Sequence, residues 1–198
     1  MKIARTAAAL ATATAIVLLP SAANSAGLIV GETVGDVQMM TVNASGDPVG
    51  DPTTVPTRTI GDISKTLITH STTTVRVAVY YKALPAAGSY NDHEFRFVNG
   101  SLERTVSLEA GTGNWAGQAT MYYRSGSKYT CKGLSYRLDY THHIAILNVP
   151  RTCLGNPQYV KVGVGFIAAA GDKIYFDDGM INAGNGDELV LSRAVRRS

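Results

Sequence analysis

The sequence lacks most of the motifs that would name a chemistry. No G-x-S-x-G nucleophile elbow is present, nor a phosphate-binding loop or G-x-G-x-x-G turn. His93-Glu94 begins like the zinc-protease pattern H-E-x-x-H, but Phe97 stands where the second histidine belongs. No window carries an apolar stripe of helical period, so there is no helix for such a motif to open. After residue 19 no apolar run is long enough to span a membrane, which takes about 20 residues. Charge is sparse too, at 18 basic and 15 acidic side chains. A nearly balanced chain argues against nucleic acid as the main partner.

The first residues explain part of the basic excess. Lys2 and Arg5 precede an apolar run from Thr6 to Leu19, followed by PSAANSAG. A charged start, a short apolar stretch and a small-residue cleavage zone form the pattern of a secretory signal peptide. Cleavage after Ala23 or Ala26 fits, so residues 1–26 are expected to be a leader. No cysteine lies near that zone for lipid attachment. Losing the leader leaves 16 of the 18 basic residues against 15 acidic ones, a charge near +1. The expected product is a secreted, extracellular chain of one domain, long enough to bury a core without metal help.

What is present in quantity is alternation of period two. Val75, Val77, Val79 and Tyr81 alternate with Arg76, Ala78 and Tyr80; Phe95 and Phe97 alternate with Glu94, Arg96 and Val98. Leu134, Tyr136, Leu138 and Tyr140 follow the same rule, as do Val160, Val162, Val164 and Phe166. Such runs are half-buried strands. Asn99-Gly100 and Ser125-Gly126 supply hairpin turns between them. The pattern predicts an all-β, antiparallel β-sandwich of about nine or ten strands, jelly-roll or immunoglobulin-like, over residues 61–190. A closed barrel stays open, because alternation does not distinguish it. Residues 27–60, crowded with Gly, Pro, Asp and Thr, read as irregular, with one short strand near Val37 to Val42. Residues 191–198 read as a basic C-terminal tail.

The stretch RLDYTHHIAILNVPRTC, residues 137–153, offers two readings: a metal or catalytic cluster, or a hairpin with a polar tip. With the turn centred on Thr141, positions whose numbers sum to 282 oppose each other, and Cys131 falls near Cys153. In an exported protein such a pair oxidises, so a Cys131–Cys153 disulfide is expected. Adjacent strand residues face opposite ways, so one ion would rarely take both His142 and His143. Asp139 with one histidine is only half of a four-ligand zinc site. Both histidines therefore read as solvated turn residues whose removal changes little.

Two further groups are candidate sites. Asp36, Asp62 and Asp178 lie beside glycine or near turns, where calcium could take their oxygens in an exported protein. Asp in such places also caps local backbone, and the expectation is no resident metal and no cofactor. Trp115, Tyr80 and Tyr123 could line an aromatic binding surface; the competing reading is that they fill sheet faces and cross-strand pairs. Acids also cluster at Asp177-Asp178 and Asp187-Glu188, and spacing alone selects no catalytic pair.

The segments GDISKTLITHSTTTVRVAVYYKAL, YTCKGLSYRLDY, HIAILNVPRTCLGNPQYVKVGVG and YFDDG together resemble a group of small exported bacterial β-sandwich proteins of unknown function. The resemblance covers roughly residues 34–190 and is most specific at the corner Pro150, Arg151, Cys153, Leu154, Gly155 and Pro157. More distantly, the strand order is similar to DOMON-type and family-9-type carbohydrate-binding sandwiches, folds that bind haem, sugars or partner domains. A haem site of that kind would need Met and His ligands, and nothing pairs Met39, Met40, Met121 or Met180 with a histidine. The resemblance implies no functional residue here. The expectation is an exported, non-catalytic module that binds an envelope glycan or a protein partner. The alternatives are a secreted hydrolase with a carboxylate pair, or a structural or inhibitory protein.

Overall fold

The computed structural model describes residues 26–180 and 189–198. The expected leader lies outside them except for Ala26, and so does the Asp187-Glu188 pair. Strands are numbered along the chain. One sheet has five, in the order β1 (Ala26–Gly31), β4 (Ile63–His70), β5 (Thr74–Tyr81), β11 (Ile144–Pro150) and β10 (Ser135–Asp139). The other runs β3 (Pro48–Thr54), β2 (Gln38–Val42), β13 (Lys173–Asp178), β12 (Tyr159–Ala170), β6 (Tyr90–Asn99), β7 (Leu102–Gly111), β8 (Asn114–Tyr123) and β9 (Lys128–Tyr129). A short β14 (Val195–Arg196) pairs with the start of β12. All these pairings are antiparallel, and no helix among the described residues is long and apolar enough to cross a membrane.

The core lies between the inner faces, on the alternating positions. Val75, Val77 and Val79 of β5 and Ala145, Leu147 and Val149 of β11 are fully buried on one side. Phe95 and Phe97 of β6, Val106 and Leu108 of β7, and Val160, Val162 and Val164 of β12 face them. Burying a side chain of this size contributes about 1.5–3 kcal/mol, which is what holds the two sheets together.

The 137–153 stretch is a stapled hairpin. Ser135 pairs with Asn148 and Asp139 with Ile144, so opposing numbers sum to 283, one more than expected. The shift arises because four residues, Tyr140 to His143, make the turn. Cys131 and Cys153 are bonded, with Cα atoms 5.5 Å apart. Closing a loop of this length contributes about 3 kcal/mol in the chain-entropy model. Beside it Arg151 donates to the carbonyls of Thr72, at 2.7 Å, and Pro157, at 2.6 Å, which fixes the corner.

The two histidines differ. His142 is exposed, and its backbone N–H and ring both meet the Asp139 carboxylate. His143 is not a solvated residue. It closes the turn at φ 57°, and its Nδ1 accepts the Leu84 N–H at 3.2 Å. The left-handed backbone turns its ring toward the loop before β6, a contact that a simple hairpin tip does not predict. His142→Ala should therefore leave stability within about 0.5 kcal/mol. His143→Ala strands the amide of buried Leu84 and should cost about 1–3 kcal/mol, read by denaturant midpoint.

The ends of the domain differ from expectation. Residues 27–60 hold three strands rather than one, which raises the number of described strands to fourteen. β3 is an exposed edge strand containing Pro48 and Pro52, which only an edge tolerates, so its composition reads as loop. Residues 191–198 are not a free tail. Val195 is buried, Ser192 N–H donates to the Val162 carbonyl at 2.8 Å, and Ser198 N–H donates to that of His70. Apolar Val195 and the unpaired rim of β12 outweigh the basic composition.

Candidate functional site

At one end of the sandwich four chain segments bring carboxylates together. Alternation along β1 places Leu28 and Val30 inward, and the next inward position, just past its end, is Glu32. Asp36 comes from the loop that follows, Asp62 from the turn before β4, and Asp177 from β13. One oxygen each of Glu32, Asp36 and Asp177 lies within 4.8 Å of the others. Asp62 Oδ2 accepts the Gly35 N–H at 3.0 Å, and Asp177 Oδ2 accepts the Ile63 N–H at 2.7 Å. The first bond ties the Asp62 side chain to the Asp36 loop, and the second ties the neighbouring backbone at Ile63 to Asp177.

The electrostatics follow from burial and crowding. Burial first, then the charges of Asp177, Asp36, Asp178 and Asp62, push Glu32 up to about 10. Asp177 rises to about 7, mainly by burial, with the Ile63 N–H pulling the other way and Asp36 and Asp62 adding to the rise. Burial also raises Asp36 and Asp62. Among the described residues no basic side chain forms an ion pair with any of the four.

Of the calcium candidates, Asp36 and Asp62 are thus brought together and Asp178 is used differently. Its Oδ1 accepts the Met180 N–H and its Oδ2 the Val190 N–H, so it organises the chain around residues 180 and 190. Glu32 and Asp177 were not among the candidates. The signal for Glu32 was available: a charge at the third inward position of the run Leu28, Val30.

The outer face of the larger sheet carries a groove of about 570 Å³. Ile167 of β12, Ile174 and Phe176 of β13 and Met40 of β2 line its apolar part; Glu94 and Arg96 of β6 and Glu103 and Thr105 of β7 line its polar part. Arg96 is ion-paired with Glu103 at 2.8 Å. Burial raises Glu94, partly offset by Arg96. Leu189 lies over Gly163 and Gly165, where an added Cβ would come within 3.0 and 2.6 Å of it. Glycine at both positions is what lets the C-terminal chain lie on this face.

The aromatic candidates do not converge. Tyr80 is on the outer face of the five-stranded sheet, with Lys65 Nζ 3.9 Å from its ring centre. Tyr123 packs edge-on against Tyr129 at 5.0 Å on the rim of the other sheet, with Arg104 over it. Trp115 meets Tyr140 edge-on at 6.1 Å, and Tyr140 OH donates to the Trp115 carbonyl at 2.7 Å. Each fills a cross-strand or rim contact, and none lines the groove. Comparison with family models, curated proteins and solved structures found no match.

Proposed function

We propose that the protein is an exported, non-catalytic binding module that holds an extracellular partner in the outer groove of its larger sheet. The groove itself carries the reading: an apolar floor of Ile167, Ile174 and Phe176 beside a charged wall of Glu94, Arg96 and Glu103. Such a surface suits an extended protein segment with alternating apolar and basic side chains. A glycan would call for a flat aromatic platform, and Trp115, Tyr80 and Tyr123 stand apart from one another. One feature favours the hydrolase alternative, a burial-raised Glu94 in the same groove as Glu103.

The test is retention of envelope proteins and glycans by the mature chain and by Ile167→Glu. The expected result is a partner protein held by the wild type and lost with Ile167→Glu, while Tyr80→Ala binds as before. Glycan retention that is indifferent to Ile167→Glu and lost with Trp115→Ala would replace this reading. Turnover of a bound substrate that disappears in Glu94→Gln would make the protein an enzyme.

A further inference from the structure

We propose that the pocket formed by Glu32, Asp36, Asp62 and Asp177 is a calcium site. Three of these side chains place an oxygen within 4.8 Å of one another. Crowded acids alone would not suffice; the argument rests on what their oxygens lack. Asp62 is only 2 % exposed, and its Oδ1 has no hydrogen-bond partner. Its Oδ2 is held by the Gly35 amide, next in the chain to Asp36, and its charge acts on Glu32, Asp36 and Asp177. Both oxygens of Glu32 and Oδ1 of Asp36 are likewise buried without a partner. Unsatisfied buried oxygens of Glu32 and Asp36, clustered with Asp177 and adjoined by the unpartnered oxygen of Asp62, are what a cation would satisfy.

The donor set selects the ion. Every candidate ligand is a carboxylate oxygen, with no histidine or cysteine, which favours a hard cation over zinc. Calcium takes six to eight oxygens in flexible geometry, whereas magnesium demands a near-ideal octahedron, keeps several waters and is usually held by only one or two carboxylates. A cluster of several carboxylates from separate segments therefore suits calcium better than magnesium.

The ion would act as a clamp. Glu32 follows β1 and Asp62 precedes β4, both of the five-stranded sheet, while Asp177 belongs to the other sheet. Ile63 pairs with Tyr81 at this end of β5, whereas Thr74, at the other end, pairs with Pro150 beside the disulfide corner. Calcium and the disulfide would therefore fasten opposite ends of the sandwich. A dissociation constant of about 10⁻⁴–10⁻³ M would suit an exported module.

The test uses the mature chain freed of metal with a chelator. Calorimetry near neutral pH should show calcium heat, and calcium at a hundredfold excess over its Kd should raise Tm by about 5–10 °C. Magnesium at the same concentration should do far less. Glu32→Gln and the milder Asp36→Asn should lose the calcium shift, while Asp51→Asn, on the exposed β3, keeps it. Absence of heat and of any Tm change in the wild type would overturn the proposal and leave a proton-sharing cluster. A calcium shift that survives in folded Asp36→Asn and Glu32→Gln would also overturn it, by placing the ion elsewhere.

Discussion

Gly61→Ala should lower Tm by roughly 4–20 °C, although it adds a single methyl group. Gly61 sits at φ 81°, and a Cβ there would lie 2.0 Å from Phe166 Cε1 and 2.2 Å from Cδ1. Phe166 is hemmed in by two neighbouring rings. Its ring packs against Tyr81 at 5.4 Å and His93 at 5.3 Å, and all three residues are buried. A left-handed alanine costs roughly 1–2 kcal/mol. Overpacking adds about 1–3 kcal/mol, and each kcal/mol is worth about 2–4 °C in a domain of this size. Gly126 provides the control, because it has the same φ of 81° with nothing within 4 Å of its Cβ position. Gly126→Ala should show the backbone part alone, roughly 1–2 kcal/mol. Equal losses from the two substitutions would mean that contact with Phe166 is not the cause. Adding Phe166→Leu to Gly61→Ala should recover part of the loss.

The core strands were legible because each has one wet and one dry face. Val75 to Tyr81 and Val160 to Phe166 announce themselves by alternation, and the sheets bury the positions that alternation names. The hairpin register was legible to within one residue, since turn length is the only unknown once two strands and a disulfide are set. β3 was not, because an exposed edge strand has no dry face and keeps its prolines. The acidic pocket was half legible. Asp36 and Asp62 could be picked as loop acids, but Glu32 and Asp177 join them only through the pairing of β1 with β4 and the facing of the two sheets. A local period cannot report that. Asp178 shows the converse: it has the composition of a ligand and spends both oxygens on its own backbone. His143 fails for the same reason as β3 in mirror image. It is polar and lies in a turn, yet its partner, Leu84, is 59 residues away.

The same buried cluster makes the fold sensitive to acid through His93. The ring is fully buried, its Nδ1 lies 2.7 Å from the Tyr81 hydroxyl, and its Nε2 has no partner. Burial holds its pKa down at about 3, so it is neutral in the folded protein at any ordinary pH. In the unfolded chain it titrates near 6.5. Between those values the unfolded state binds a proton that the folded state does not. The stabilisation is therefore complete above about pH 6.5 and declines as pH falls toward 3, by up to about 1.4 kcal/mol per unit and about 5 kcal/mol in all. Neighbouring carboxyls push the other way. Asp92, on the opposite face of β6, is raised to about 6, while Asp177 and Glu32, whose charges reach Tyr81, are raised to about 7 and 10. Each takes up its proton more readily when folded, so the wild-type curve alone mixes both signs. His93→Gln separates them, because glutamine keeps a partner for Tyr81 and does not titrate. The variant should be less stable than the wild type at neutral pH in chelator. The gap should narrow by about 2.3 kcal/mol between pH 6.5 and 4.5 in urea titrations. Parallel curves over that range would mean that another group governs acid unfolding. A ring proton signal of His93 that titrates near pH 6 in the folded state would show that the ring is not held neutral.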